Sequence, residues 1–210
     1  MRHTNAGLAL AGSLLLMGTG VARADCAAEF ADINRVTLTA GPYEIATTIS
    51  ITPPRTMDQS GQVAQSMHVT QILPPRSFRV RTRSAEIIVT GDDKGWVNAG
   101  GPWLEMSKEK LADLLEEAPF NGYFVTKDQR DLECQGVQDV DGKSYLTFVY
   151  AAVVNVRTKS PQTTQITAYF DPATRLPVGG QTLVEVLGAR IQAEMIYKFD
   201  PSIRIELPSP

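Results

Sequence analysis

The chain has 210 residues, 43% of them hydrophobic, with 20 Lys and Arg against 23 Asp and Glu for a formal net charge of −3. That mild acidity argues against a nucleic-acid surface, which needs clustered positive charge. The length suits one domain with a sizeable core.

The first 24 residues read as an export signal. Arg2 supplies positive charge, an apolar run follows from Ala6 to Met17, and Ala22-Arg23-Ala24 forms an A-x-A site that predicts cleavage before Asp25. The run is too short to span a bilayer, and no later stretch approaches the roughly 20 apolar residues that spanning requires. Cys26 just past the cut raises the question of a lipid anchor. A lipoprotein signal wants a small residue before the cysteine, however, and Asp25 is charged. The expectation is a soluble, monomeric periplasmic protein, with residues 25–210 as a single domain. Without Arg2 and Arg23 its balance is 18 basic against 23 acidic residues, or −5.

Two cysteines remain, Cys26 and Cys134. In an oxidising compartment an even pair reads as a structural disulfide. This one would close a long loop and constrain the unfolded chain by roughly 4–5 kcal/mol. The alternative, a redox or nucleophilic cysteine, lacks a C-x-x-C spacing.

A short helix is predicted from Ala27 to Leu38, through Phe30, Ile33 and Leu38. From there the dominant period is two. Tyr43, Ile45, Thr47, Ile49 and Ile51 alternate with polar residues, as do Phe78 and Val80 with Arg79, Arg81 and Arg83. Ile191, Ala193, Met195, Tyr197 and Phe199 repeat the pattern near the end of the chain. Such strands have one apolar and one polar face and are normally antiparallel. Pro74-Pro75, Asp141-Gly142, Asp171-Pro172, Leu176-Pro177 and Gly188 mark close turns between them, so about ten strands in a meander are expected. Tyr145 to Val156 is apolar on both faces, which predicts cover on each side of the sheet there. A second helix is predicted from Ser107, a candidate N-cap, to Ala118; Leu111, Leu114, Leu115 and Ala118 form its stripe and Pro119 ends it. The fold class is therefore α+β, mainly β: one curved antiparallel sheet with short helices on its concave side.

Chemistry finds little purchase, and neither enzyme activity, a cofactor nor a metal is expected. After removal of the leader His68 is the one histidine, sharing a strand face with Ser66 and Thr70. It reads as an ordinary strand residue; there is no G-x-S-x-G elbow, and a multi-His zinc site fails by count. The stretch from Asp139 to Ser144 fails as a calcium loop, because Val137 and Phe148 stand where carboxylates should. Gly91 to Gly95 follows a strand but opens no helix, so it reads as a hairpin turn and not a phosphate cradle. Asn98 to Pro102 makes the next turn, and Trp96 and Trp103 each follow one of these turns. Arg79, Arg81 and Arg83 project from one strand face, as a solvated surface or as a docking stripe for an acidic partner or anionic lipid headgroups. The large apolar side chains are core, or they line a cavity that the sheet leaves over its helices. Such a cavity suits small apolar ligands, and methionine suits flexible acyl chains.

Several pieces together resemble a family. They are the A-x-A signal; "HVTQILPPRSFRVRTRSAEIIVTGDDKGWVNAGGPWLEMS" from His68 to Ser107; the helix after it; "YFDPATRLPVGGQT" from Tyr169 to Thr182; the Gly188 hairpin; and "SIRIELP" from Ser202 to Pro208. The chain resembles the LolA-like periplasmic proteins, which include outer-membrane lipoprotein carriers, mycobacterial-type lipid carriers and RseB-type stress regulators. The resemblance implies an incomplete β-barrel wrapped around short helices, with an apolar cavity that binds a lipid or the acyl chains of a lipoprotein. Met67, Phe78, Trp96, Trp103, Phe120, Tyr123, Phe148 and Met195 are the candidates to line that cavity. The alternative role is a sensor or interaction module whose partner is a membrane-anchored envelope protein. The Cys26 and Cys134 pair departs from the simplest carrier pattern, and the arginine stripe matches no family residue.

Overall fold

The computed structural model describes residues 21–54, 63–91, 93–117, 129–154 and 162–208. Residues 1–20 of the predicted leader, Phe120 and Tyr123 lie outside them, and Val21 to Ala24, the end of that leader, form the start of the first helix. In chain order the elements are α1 (Val21–Thr39), β1 (Tyr43–Thr52), β2 (Ala64–Leu73), β3 (Ser77–Arg81), β4 (Glu86–Thr90), β5 (Lys94–Asn98) and β6 (Leu104–Glu105). There follow α2 (Lys108–Glu117), β7 (Arg130–Val140), β8 (Lys143–Val154), β9 (Gln162–Phe170), β10 (Pro177–Val186) and β11 (Ala189–Phe199).

All eleven strands form one sheet in the order β6-β5-β4-β3-β2-β1-β11-β10-β9-β8-β7. Two meanders, β1 to β6 and β7 to β11, run in opposite directions from a seam where β1 pairs β11, Tyr43 facing Phe199 and Ile51 facing Ile191. Every pairing is antiparallel. The sheet does not close. Its two edges, β6 and β7, are neighbours in sequence, and α2 lies on the chain between them. This is the open, mainly antiparallel architecture that the alternation called for, with one more strand than counted.

The register fixes two faces. Side chains of Tyr43, Ile45, Thr47, Ile49 and Ile51 fall beside Ile72, Thr70, His68, Ser66 and Ala64 on β2 and beside the odd-numbered residues of β11. Leu146, Phe148, Tyr150 and Ala152 of β8 continue that inner face, opposite Phe170, Ala168, Ile166 and Thr164 of β9.

The helix α1 covers part of the inner face. Its buried residues Cys26, Phe30, Ile33 and Thr37 recur at helical spacing. Phe30 enters an aromatic cluster, its ring centroid 5.0 Å from Phe148, 5.5 Å from Tyr150 and 6.3 Å from Phe170. Cys26 forms a disulfide with Cys134 on β7, so the thiol expected to be structural is bonded and unavailable as a lipid anchor or nucleophile. Arg175, in the β9–β10 turn, adds ion pairs to Glu29 (3.1 Å) and Asp32 (3.4 Å). Three independent contacts thus hold α1, which runs beyond the predicted Ala27 to Leu38 at both ends.

The helix α2 is shorter and held differently. Ser107 caps it, its Oγ accepting from the Lys110 N–H at 3.4 Å. Leu111 is buried. A methyl group at Gly95 would stand 3.0 Å from Leu111 Cδ1 and 3.1 Å from Met106 Sδ. Glycine on β5 is what lets this chain segment lie close against the sheet.

The outer face of β8 corrects one expectation. Among the described residues no element covers it. Val149 and Ala151 instead line a shallow groove of about 480 Å³ with Gln165, Leu183 and the carboxylates of Asp131, Glu133 and Glu185. Further along the same face the rings of Tyr145 and Tyr169 lie 5.8 Å apart.

Candidate functional site

The inner face is graded from sealed to open. Take the rows that cross the strands. Val89, Phe78, Ile72 and Tyr43 form a row that is buried throughout. Further along the strands, Thr47, Met195, Gly180, Ala168 and Phe148 are still buried, while His68 at the end of that row is half-buried. In the next row Ile49, Ala193 and Thr182 are half-buried and Ser66 is exposed. In the last, Ile191 and Val184 are half-buried, and Ile51 is exposed at 39%. Val80, Ile87 and Val97 on the other meander are half-buried too. Along the described strands the burial of this apolar face therefore falls toward the end of the sheet carrying the β1–β2 and β10–β11 connections, with Thr47 and Met195 at the boundary.

Over β1 to β5 and β8 to β11, each Asp, Glu, Lys and Arg that the register places points to the outer face. A face of this composition suits apolar contacts and disfavours free ions, which would lose their hydration without a partner. Its polar groups are few. The Oγ1 atoms of Thr47 and Thr164 are buried without a hydrogen-bond partner. Burial lowers the pKa of His68 below its ordinary value, so the imidazole stays neutral near pH 7. Among the described residues no group of three His, Cys, Asp or Glu could hold a metal ion.

The predicted lining residues are divided by this geometry. Phe78, Phe148 and Met195 lie on the inner face, all buried at its sealed side. Met67 does not join them. Its neighbour His68 faces inward, so period two turns Met67 outward, where it is 64% exposed. Trp96 is likewise on the outer face, in register with Ile88 and Arg79, where it helps to shield the buried Ile88. Trp103 is half-buried in the β5–β6 connection, before the strand begins. The residues that sequence reasoning missed are the aliphatic ones, Ile49, Ile191, Ala193 and Val184. Their alternation was legible in the sequence, and nothing in their residue type marks which strand positions stay half-buried.

The arginine stripe is also revised. Arg79 and Arg81 share the outer face of β3, but β3 ends at Arg81 and Arg83 lies in the turn that follows. Arg79 pairs with Glu86, and Arg81 reaches Glu86 at 3.6 Å and Gln71 at 3.1 Å. Two of the three positive charges are thus engaged within the sheet, which weakens them as a docking stripe.

No family model matches the chain, and no curated protein matches it in sequence. Among solved structures it is similar to the lipoprotein LppX of Mycobacterium tuberculosis, 14% identical with a TM-score of 0.44 over 88% of this chain and 100% of that one. It is similar to LprF from Mycobacterium bovis, 13% identical with a TM-score of 0.49 over 87% and 98% of the two chains. It is also similar to a LolA superfamily protein from Nitrosomonas europaea, 9% identical with a TM-score of 0.34 over 83% and 91%. The arrangement that the sequence resembled, an open antiparallel sheet around short helices, is the one found here, and it stands on the strand register itself.

Proposed function

We propose that this chain is an envelope protein that binds a lipid, or the acyl chains of a lipoprotein, in the open half of its inner face. It acts as a carrier or chaperone and performs no chemistry on what it holds. The observation that supports this most is the graded burial of the inner face on the described strands: half-buried aliphatic side chains at Ile49, Ala193, Ile191 and Val184 beside the buried aromatic cluster. A solid core would bury those positions as fully as it buries Phe148. Residues 1–24 serve as the export signal, and the mature chain begins at Asp25.

Native mass spectrometry of gently extracted protein tests the binding. The expected result is a co-purifying acyl species, together with uptake of a fluorescent fatty acid or monoacylglycerol by the stripped protein. Ala193→Trp, which fills the open half of that face, should abolish uptake while leaving the fold intact. Protein that is consistently empty and takes up neither probe would refute the assignment.

A further inference from the structure

We propose that the ligand of the inner face is an uncharged acyl ester, held at its carbonyl by Thr47 and His68 with its chain lying across β11 and β10. The inference rests on the lipid-binding reading and assigns the polar end of that ligand. The first ground is a division within the face. On β11 the inward residues Ile191, Ala193 and Met195 are all apolar, and Val184 of β10 continues them. On β2 the inward residues Ser66, His68 and Thr70 are all polar. Between the two, β1 turns Thr47 inward among Ile45, Ile49 and Ile51. A face with an apolar side and a polar side matches an amphiphile and fixes which way it lies.

The second ground is the Thr47 hydroxyl. Thr47 is 3% exposed, and its Oγ1 has no hydrogen-bond partner. Valine has the same shape and would fill the position without the cost of an unpaired buried hydroxyl. A ligand oxygen beside Thr47 removes that cost. His68 is the register partner of Thr47 on β2, and side chains so paired stand next to each other on one face. The imidazole, kept neutral by burial, retains one N–H. Hydroxyl and imidazole are thus both donors to a carbonyl oxygen, and neither brings the positive charge that a buried carboxylate requires. The inward residues that the register places on β1, β2, β10 and β11 include no Lys or Arg.

The third ground is a way out for the polar head. β3 pairs with β2 from Val69 to Leu73, so His68 and Ser66 lie beyond the end of that ladder. Exposure rises in step along β2: Thr70 is buried, His68 half-buried and Ser66 exposed. The head of the ester leaves along this polar track, while the chain stays on the aliphatic side. Arg83, exposed in the turn after β3, is a cation on the same side of the sheet, so the test must separate a carbonyl from an anion.

The test is displacement of a fluorescent alkyl probe from the stripped protein by monolauroylglycerol and by dodecylglycerol, the ether that keeps the head and lacks the carbonyl. The parent should bind the ester about fivefold more tightly, the weight of a hydrogen bond made in competition with water. Thr47→Val and His68→Leu should each bring the ratio toward equality, and Thr47→Ser, which keeps a hydroxyl, should retain it. Urea unfolding of each variant establishes that it is folded. Equal affinity of the parent for ester and ether, or a ratio unchanged in either Thr47→Val or His68→Leu, would overturn the proposal and leave lipid binding standing. So would ionised lauric acid that binds more tightly than the ester and loses the gain in Arg83→Gln, which would assign the site to an anionic head. A parent that binds neither the probe nor either glyceride would refute the lipid-binding reading itself.

Discussion

Cys26 on α1 and Cys134 on the edge strand β7 are joined across 108 residues of chain. The helix that seals one half of the inner face is therefore attached covalently to one border of the sheet. Replacing both cysteines by alanine should cost about 4 kcal/mol, the loop-closure entropy returned to the unfolded chain. Urea unfolding of the oxidised parent and the double variant measures this. A loss near zero would mean that the Phe30 cluster and the Arg175 ion pairs hold α1 unaided.

Thr47 is expected to show a conflict between stability and binding. Its Oγ1 is buried without a partner on the inner face. Thr47→Val keeps the shape and removes the unpaired hydroxyl, so it should stabilise the protein by about 1 kcal/mol. If the hydroxyl meets an ester or hydroxyl of the ligand, the same variant should bind a fluorescent monoacylglycerol less tightly and a plain alkyl probe equally well. Thermal unfolding and probe titration on one preparation read both effects.

Two glycines should separate by what stands beside them. At Gly179 a methyl group would lie 2.9 Å from the Met195 carbonyl oxygen, which belongs to the neighbouring strand and cannot yield alone. At Gly95 the obstacles are the flexible ends of Leu111 and Met106. Gly179→Ala should cost about 2–3 kcal/mol, in the range of overpacked cores, and Gly95→Ala about 1 kcal/mol. Tryptic cleavage within α2 should quicken only in Gly95→Ala, because there the helix must lift.

The neutral His68 gives stability a pH dependence with a definite sign. Its folded pKa lies below the ordinary 6.5 because burial disfavours the charged ring. The unfolded chain therefore binds a proton that the folded chain resists. The contribution is complete above about pH 6.5 and is lost as pH falls toward the folded pKa. Urea midpoints at pH 7.5 and 5.5 should differ less in His68→Gln than in the parent. The exposed carboxylates of Asp171 and Asp200, held low by hydrogen bonds from Thr174 and Ser202, titrate in a more acidic window.

Period two carried the sequence a long way. It placed Ile49 and Ile51 on the apolar face of one strand and Ile191 and Ala193 on that of another, and turn residues such as Asp141-Gly142 and Gly188 divided the chain where the ladders turn. The disulfide followed from cysteine count and compartment. What local pattern could not supply was which strands meet across the seam, since Tyr43 and Phe199 are far apart in the chain. Met67 was misplaced for a different reason. Its parity against His68 turns it outward, and its residue type carries no sign of that. Trp96 fell the same way, next to Gly95, whose inward position makes the tryptophan point outward. The gradient from buried Met195 to exposed Ile51 depends on where α1 and α2 come to rest, and no period encodes that.

The strand order also has a kinetic consequence. Every ladder except one joins strands that follow each other in the chain. Each meander can assemble from local hairpins, whereas pairing β1 with β11 must close the rest of the molecule into a loop. The Cys26–Cys134 bond roughly halves the covalent path between those two strands, a saving of about 0.6 kcal/mol in closure entropy. Oxidised chains should therefore join their halves faster than reduced ones, so the disulfide hastens the one long-range event in folding as well as holding its result.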